Sequence, residues 1–377
     1  MRGQTSGPFD WGAELAERAN LTAKKLDYYL GIPIIVLIYL FIGPFVRRRR
    51  LNVESLRKVG FLKTSAIGDT VILSALGKDL IATKPQVEFF VFTGKSNFQA
   101  AKLFFPTATV IALPMLNPFA ALRILRKYPM DVLIDFDSWP RINALLCFFS
   151  QAYWTVGFST EGQGRHFLYS SVGIHSKRVH EIENYRSLLG KIDVHSKSLP
   201  SFQGLNVGSM KAKIHDHSII LLHPWSGGSQ AAKKMWHRTN WIELAGKLKE
   251  AGFHIRLSGG PGDIENCRQL LKEAPPGLIE ELYPPSLKVL MDELKSVSLV
   301  ISVDTGVAHL AGALNVPTLV LYGATSPERW GALGKNVCHL KDPQPATIQL
   351  GFEESEGKGL ELKVATVMAA VQKMLNP

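Results

Sequence analysis

The sequence predicts an α/β protein with two doubly wound, Rossmann-like domains and an apolar N-terminal helix. Its 377 residues are enough for two domains of ordinary size, each with its own core. From Lys58 onward, short apolar runs alternate with helix-like segments, which is the βαβ pattern of a parallel sheet. Glycine and charged residues at 200–216 indicate a boundary. The predicted divisions are therefore an arm with a membrane anchor and basic flank (1–50), a first domain (51–205) and a second domain with a C-terminal helix (206–377).

The first of these divisions contains an uncharged run from Tyr28 to Val46. As a helix, the run would be roughly 28 Å long, close to the thickness of one hydrocarbon core. The run predicts a transmembrane or deeply inserted anchor, with a short re-entrant or interfacial helix as the alternative. The arginines from Arg47 to Arg50 argue against a cleavage site, and by the positive-inside rule they place the larger part of the chain in the cytoplasm.

The composition of the chain narrows the class of partner. Lys and Arg number 43 against 32 Asp and Glu, so the net charge of +11 suits an anionic ligand or an anionic membrane surface. Nucleic acid is disfavoured, because no nucleic-acid-binding motif is present. The three cysteines show no CxxC spacing, which favours a reducing compartment.

In the first domain, Asp69 stands where the first strand gives way to a helix. Helix capping alone is the plain interpretation of an aspartate there. Asp135 and Asp137 have the DxD spacing of a metal motif, but a pattern this short arises easily by chance, so no metal site is predicted. Arg141 follows the same strand and is a candidate contact for an acceptor or a phosphate, with an exposed arginine after a strand as the alternative.

In the second domain, Leu299–Val303 and Thr318–Tyr322 are predicted strands joined by a short helix. Asp304 stands at the expected N-cap of that helix, and Thr305 and Gly306 form its first turn. A helix that begins at the carboxyl end of a strand offers free N–H groups and a positive dipole end to a phosphate. Thr305 and His309 share one helix face. The alternative is a capping aspartate, a first-turn hydroxyl and a core histidine.

Two further loops follow predicted strands of the second domain. His223 to Ser229 includes Ser226, whose hydroxyl and neighbouring glycines could cradle a phosphate, with Lys233 or Lys234 supplying charge. Gly259 and Gly260 lie in the second loop, which lacks the dinucleotide pattern GxGxxG. Both loops have a purely architectural alternative, as a mobile surface loop and a glycine turn.

The sequence around these positions resembles that of glycosyltransferase family 9, the lipopolysaccharide heptosyltransferases. The similarity runs from about Lys58 to Gly334, and it is carried by the following motifs: Lys63 to Leu76, Lys234-Met235-Trp236, Asp304-Thr305-Gly306, His309, Ala313-Leu314, Pro317, Tyr322-Gly323 and Ser326-Pro327. The uncharged N-terminal segment departs from the usual soluble or peripheral member of that family.

The resemblance implies a GT-B-like fold whose domains face a cleft, with acceptor on the first domain and sugar nucleotide on the second. Asp69 would be the catalytic base of an inverting transfer, and Lys234 would stabilise the departing diphosphate, with no metal or cofactor required. The donor-binding residues would be Ser226, Gly259, Gly260, Asp304, Thr305, Gly306 and His309. ADP-heptose is the implied donor.

The anchor makes a lipid-linked saccharide the sensible acceptor and the cytoplasmic side of the inner membrane the expected location. Two other classes stay open at this point. One is a sugar-nucleotide epimerase, or a transferase with another donor, on the same architecture. The other is a membrane-anchored binding protein that kept the fold without the chemistry.

Overall fold

The computed structural model contains two parallel sheets with their connecting helices, and an additional helix precedes the first sheet. It describes residues 21–42, 50–202, 218–227, 231–343 and 359–375. The N-terminal arm before Leu21, the arginines 47–49 and the predicted boundary at 205/206 lie outside these ranges. Helix α1 spans Leu21–Phe41. The elements of the first domain are β1 (Lys58–Lys63), α2 (Ile67–Thr83), β2 (Glu88–Thr93), α3 (Phe98–Phe104), β3 (Thr109–Ala112), α4 (Pro118–Leu125), β4 (Val132–Asp135), α5 (Arg141–Phe149), β5 (Trp154–Ser159), β6 (Ser171–Ile174) and α6 (Glu181–Leu189).

The second domain repeats the alternation of strands and helices. Its elements are β7 (Ile219–His223), α7 (Arg238–Glu250), β8 (His254–Ser258), α8 (Ile264–Glu273), β9 (Glu280–Leu282), α9 (Leu287–Ser296), β10 (Leu299–Val303), α10 (Gly306–Ala313), β11 (Thr318–Tyr322), α11 (Pro327–Trp330), β12 (Val337–Lys341) and α12 (Val364–Leu375). Short 3-10 turns occupy Arg165–Leu168, Gly190–Ile192, Ala231–Lys233 and Pro261–Asp263.

Both sheets are doubly wound, as the sequence predicts. The strand orders are β3-β2-β1-β4-β5-β6 and β12-β11-β10-β7-β8-β9, with every pair of neighbouring strands parallel. The winding reverses between β1 and β4 in the first sheet and between β7 and β10 in the second. In open α/β sheets, the crevice at such a reversal, outside the carboxyl ends of the strands, is where ligands bind.

One apolar cluster connects the two domains. It includes Ile72 of α2 and Leu310 of α10, so the helices that follow β1 and β10 pack against each other. The backbone N–H of Phe202 also donates to the carbonyl of Ala313 at 3.1 Å. Helix α12 packs on the far side of the second sheet, against α7 and β12.

Helix α1 lies against the first domain rather than apart from it. Ile35 is buried in the apolar cluster on that face of the sheet, and the ring of Tyr39 packs 4.8 Å from that of Phe167. The opposite face is exposed and apolar: Tyr29 is 65% and Phe41 is 74% exposed. Helix α1 is therefore apolar on two faces, of which one has a partner within the described chain.

The helix is also displaced from the predicted anchor. It begins at Leu21, so the charged residues Lys24, Lys25 and Asp27 fall within it, and it ends at Phe41, before Val46. No helix in the described ranges combines the length and the hydropathy that crossing a membrane requires.

Candidate active site

The reversal point of the first sheet is occupied by charged side chains. Lys63 is the last residue of β1, and Asp137 follows the end of β4, the neighbouring strand. The Nζ of Lys63 lies 2.9 Å from Oδ2 of Asp69 and 2.5 Å from Oδ1 of Asp137. A buried lysine is thus shared by two carboxylates, which offsets the cost of burying its charge.

Asp69 is not the cap of α2. The N-cap position is Ala66, which has φ 69° and makes no side-chain capping bond, whereas Asp69 is the third residue of the helix. The interpretation of Asp69 as a capping residue is therefore wrong. The Asp69 side chain is still 23% exposed, so one carboxylate can pair with Lys63 and face the crevice as well.

The surroundings of Asp69 favour a carboxylate that can accept a proton. Burial is the largest influence and raises the pKa of Asp69, while the charge of Lys63 opposes that rise and Glu181 adds to it. A carboxyl with a raised pKa is a stronger base once ionised. Lys63 itself has a pKa well above its usual value: burial lowers it, but the carboxylates of Asp137 and Asp69 outweigh burial.

Both aspartates of the DxD pair already have hydrogen-bond and ion-pair partners, so neither is free to bind an ion. Asp137 accepts hydrogen bonds from the N–H and hydroxyl of Thr64, both at 2.7 Å, and from the amide of Asn143 at 2.9 Å. Asp135 pairs with the guanidinium of Arg165 and accepts from the Tyr169 hydroxyl at 2.6 Å. Burial raises the pKa of Asp135 to about 6, against the lowering effect of Arg165. Within the described ranges, no cluster of three or more His, Cys, Asp and Glu residues is arranged to hold a metal.

The reversal point of the second sheet carries most of the residues predicted to bind the donor. Asp304 directly follows β10, and its Oδ2 lies 3.1 Å from the Nζ of Lys234. The hydroxyl of Ser226, which follows β7, donates to the backbone oxygen of Asp304 at 3.0 Å. The Lys234 side chain is 21% exposed, so its charge remains accessible from the crevice. Gly228 and Ser229 of the same loop lie outside the described residues.

Helix α10 begins one residue later than the sequence suggested. Its N-cap is Thr305 and its first residue is Gly306, so Asp304 is not the cap but the partner of Lys234. His309 is buried, its Nδ1 has no hydrogen-bond partner, and burial lowers its pKa to about 4, so the ring is neutral at pH 7. The start of α10 therefore offers backbone N–H groups and a neutral imidazole.

The two helix starts touch each other. A Cβ added to Gly68, the residue before Asp69, would lie 2.6 Å from Cδ2 of His309. A Cβ added to Gly306 would lie 3.1 Å from Cβ of Ile67. Both glycines are therefore needed for the close approach of α2 and α10, and this approach places Asp69, in the first turn of α2, beside the helix start at Thr305 and Gly306.

The remaining predicted residues have other positions. Gly259 and Gly260 follow β8, the neighbour of β7; an added Cβ at Gly259 would lie 2.6 Å from Sγ of Cys267, and the N–H of Gly260 donates to Asp263 at 2.9 Å. This turn is tightly packed and opens on the same sheet edge. Arg141 is buried beneath α1, where its Nε donates to the carbonyl of Gln163 at 3.1 Å. The structure does not place it in the crevice, and its interpretation as an acceptor contact is not supported.

Two residues of the crevice were missed in the sequence. Lys63 had a visible signal, since it is a lysine at the end of a buried strand. His180 had a weaker one: its Nδ1 accepts from the N–H of Ile182, and its Nε2 lies 2.9 Å from the carbonyl of Gly331 in the second domain. This bond connects the two domains at the crevice, and only the folded chain shows it.

The model of glycosyltransferase family 9 (heptosyltransferase) matches residues 119–359 of this chain. Lipopolysaccharide heptosyltransferase 1 of Escherichia coli K12 is 32% identical over 187 residues, which are 47% of this chain and 55% of that protein. The chain thus matches about half the length of such curated relatives.

Two solved structures share the fold. The ADP-heptose lipopolysaccharide heptosyltransferase II of Escherichia coli superposes with a TM-score of 0.67 at 18% identity, covering 84% of this chain and 98% of that one. An Escherichia coli heptosyltransferase solved with ADP gives a TM-score of 0.66 at 23% identity, covering 84% and 99%. At these identities the likeness establishes the GT-B-like fold. Since the family model matches more than half of the sequence, the chain belongs to glycosyltransferase family 9.

Proposed function

We propose that the protein is an inverting heptosyltransferase that transfers heptose from ADP-heptose to a lipid-linked saccharide such as the lipopolysaccharide core. The observation that carries this proposal is the position of Asp69, a partly exposed carboxylate beside the start of α10 on the opposite domain. Family membership and the printed names of the relatives support the donor and the acceptor.

In the proposed reaction, Asp69 removes the proton from an acceptor hydroxyl as the hydroxyl oxygen attacks the anomeric carbon of the donor. The new bond joins that oxygen to the carbon, the bond from the carbon to the phosphate oxygen breaks, and ADP leaves with the electron pair. Attack opposite the leaving group inverts the anomeric configuration. Lys63 favours the charged form of the Asp69 carboxylate.

The charge that grows on ADP needs stabilisation in the second domain. Lys234 and the free N–H groups at the start of α10 supply it, as a point charge and a helix dipole directed at the phosphates. Asp304 holds the lysine in place until the diphosphate arrives. Since these groups balance the leaving-group charge and both DxD carboxylates already have partners, the scheme uses no metal ion.

The purified protein, ADP-heptose and a lipopolysaccharide precursor without heptose test the proposal directly. We expect release of ADP, an acceptor heavier by one heptose with inverted anomeric configuration, and no loss of rate in EDTA. UDP-glucose and GDP-mannose are the donor controls. Epimerised sugar nucleotide without acceptor consumption would indicate the alternative enzyme class, and absence of any turnover with bound donor would indicate a binding protein.

The proposal includes membrane association through the outer face of α1, with the catalytic domains on the cytoplasmic side of the inner membrane. Tyr29, Leu37, Leu40 and Phe41 are exposed along that face. In the sequence the helix is followed by the run Arg47 to Arg50. An apolar helix face beside several arginines has the chemistry that an anionic lipid surface binds, with apolar groups in the headgroup region and cations at the phosphates.

Vesicle flotation measures this association. The wild type should bind vesicles with one-third phosphatidylglycerol more strongly than neutral ones, and Leu37→Glu with Phe41→Glu should abolish binding while ADP affinity is retained. Leu199→Glu, at an exposed apolar residue away from α1, is the matched control. Release from native membranes by carbonate at high pH would favour an interfacial helix over a spanning one. Equal flotation of wild type and double variant would exclude α1 as the contact.

A further inference from the structure

Helix α5 begins without a capping side chain of its own. Its N-cap residue is Pro140, which makes no side-chain capping bond. The first N–H groups of an α-helix have no partner within the helix, and a buried start without an acceptor is destabilising.

Asp27 of α1 supplies the missing acceptor from more than a hundred residues away. Its Oδ2 accepts from the N–H of Arg141 at 3.1 Å, and its Oδ1 accepts from the N–H of Ile142 at 2.8 Å. The same carboxylate lies 3.7 Å from the guanidinium of Arg141, whose carbon stands 5.3 Å over the Tyr28 ring. The face of α1 that carries Asp27 and Tyr28 therefore makes hydrogen bonds, an ion pair and a cation–π contact with the start of α5.

From this point, three consecutive polar contacts lead to Asp69. Asn143, the third residue of α5, is fully buried, and its amide donates to Oδ2 of Asp137 at 2.9 Å. Asp137 contacts Lys63 at 2.5 Å, and Lys63 contacts Asp69 at 2.9 Å. The start of α5 therefore sets the position of Asn143, which shares with Thr64 the holding of Asp137 beside Lys63.

We propose that Asp27 is a positioning residue of the active site, so that α1 orders the catalytic carboxylate in addition to its contact with lipid. The inference rests on the proposed function, because it takes Asp69 as the base. Asp27 does not touch substrate. It acts by fixing the start of α5, through Asn143, Asp137 and Lys63.

The direction of the effect follows from the groups around Asp69. These are Lys63 on β1, Asp137 after β4, and Glu181 and Tyr185 on α6, while the neutral His309 of α10 packs on Gly68. Lys63 is the cation among them. A less firmly held Lys63 stabilises the Asp69 carboxylate less, so the carboxylate takes up a proton at higher pH. The acid limb of the kcat profile should then move upward.

The test compares Asp27→Ala with Asp27→Asn in the full-length protein. Asparagine keeps one of the two accepting oxygens and places an amide NH2 at the other, so it should restore only part of what alanine loses. Leu30→Ala, on the exposed face of the same helix, is the matched control. We expect Asp27→Ala to lower kcat about tenfold at neutral pH and to move the acid limb upward, with the KM for ADP-heptose within twofold of wild type.

Two further measurements keep the inference testable if Asp27→Ala is poorly stable. Hydrogen exchange at the amides of Arg141 and Ile142 should accelerate in Asp27→Asn and not in Leu30→Ala. Asn143→Ala should move the acid limb in the same direction, and adding Asp27→Ala to it should have little further effect, because both act on one path.

A lower melting temperature with unchanged kcat and pH profile would make Asp27 a structural cap only and would overturn the inference. Additive effects of Asp27→Ala and Asn143→Ala would show that Asp27 does not act through Asn143, and would overturn the inference. Failure of the proposed function is distinguishable, because the wild type itself would then transfer no heptose, whereas failure of the base assignment alone would leave Asp69→Asn with turnover near that of the wild type.

Discussion

At the scale of single residues, Asp69 and Lys63 illustrate what a buried ion pair contributes to the proposed catalytic site. Burial raises the pKa of Asp69, whereas the neighbouring ammonium lowers it and so favours the carboxylate. Asp137 holds that ammonium in place from the other side. The pair is thus arranged for a base that is both charged and incompletely solvated.

Lys63→Met removes the cation, so the pKa of Asp69 should rise further and the acid limb of kcat should move to higher pH. On that limb, turnover falls about tenfold for each unit of movement. Lys58→Met, at the exposed start of the same strand, is the control. Breaking the buried pair also costs stability, about 3–5 kcal/mol, so the pH profile and not the rate alone decides the result. An unmoved acid limb would show that Lys63 is structural.

Lys234→Ala should weaken ADP binding by about 1.5–3 kcal/mol, because it removes a charge-assisted contact to the diphosphate. Titration calorimetry with ADP measures this loss. Lys247→Ala, which removes an exposed lysine from α7, should bind like the wild type. Equal affinity of both variants would exclude Lys234 from the phosphate site.

At the scale of elements, the sequence predicts strands better than helix starts. The apolar runs at Leu299 and Thr318 mark β10 and β11 at their observed bounds, since buried parallel strands leave a clear pattern. The starts of α2 and α10 were misplaced because both lack the capping side chain on which such predictions depend. The bounds of the N-terminal helix were also predicted wrongly. Helix α1 contacts α5 through the charged residue Asp27, which lies outside the uncharged run used to predict the anchor.

The contact between α2 and α10 predicts a sensitive glycine. Gly68→Ala introduces a methyl 2.6 Å from the His309 ring, so the helix starts must move apart. A shift of about 1 Å at a reacting group can cost roughly 10²-fold in rate. Gly77→Ala on the same helix meets the Phe105 ring, also at 2.6 Å, and should lose comparable stability without that loss of kcat. Similar kcat in both variants would contradict the role of the contact.

Gly246 provides the opposite case. It lies within α7, and a Cβ there would meet nothing within 4 Å. Gly246→Ala should therefore stabilise the protein by about 0.5–1 kcal/mol, through reduced freedom of the unfolded chain. Urea denaturation measures the gain, and turnover should stay unchanged. A destabilised variant would show that α7 does not tolerate a side chain at this position.

At the scale of the whole molecule, the sequence predicts two domains and the residues that line their facing edges. It does not predict how the edges meet. The buried cluster between α2 and α10, the bond from His180 to Gly331 and the attachment of α1 to α5 all join residues far apart in sequence. A periodic pattern reports which face of an element is buried, but not the element that covers it.

Removal of residues 1–50, so that the chain begins at Leu51, should affect the two domains differently. Its second domain is intact, so ADP affinity should remain within about twofold, and loss of the exposed apolar face of α1 should reduce aggregation. Its first domain loses the cap of α5 and the cover over Arg141, so turnover and melting temperature should fall. Full turnover in the shortened chain would show that α1 serves only for attachment.

The central claim, that Asp69 is the base of a glycosyl transfer, is tested most directly by the turnover of Asp69→Asn with ADP-heptose and a lipid-linked acceptor. The asparagine has nearly the same shape and cannot accept the acceptor proton. We expect kcat to fall by roughly 10²–10⁴ with ADP affinity close to wild type. The melting temperature should fall only in part, because Lys63 loses one of its two carboxylates and keeps Asp137. Turnover within a few-fold of wild type in a folded variant would contradict the account.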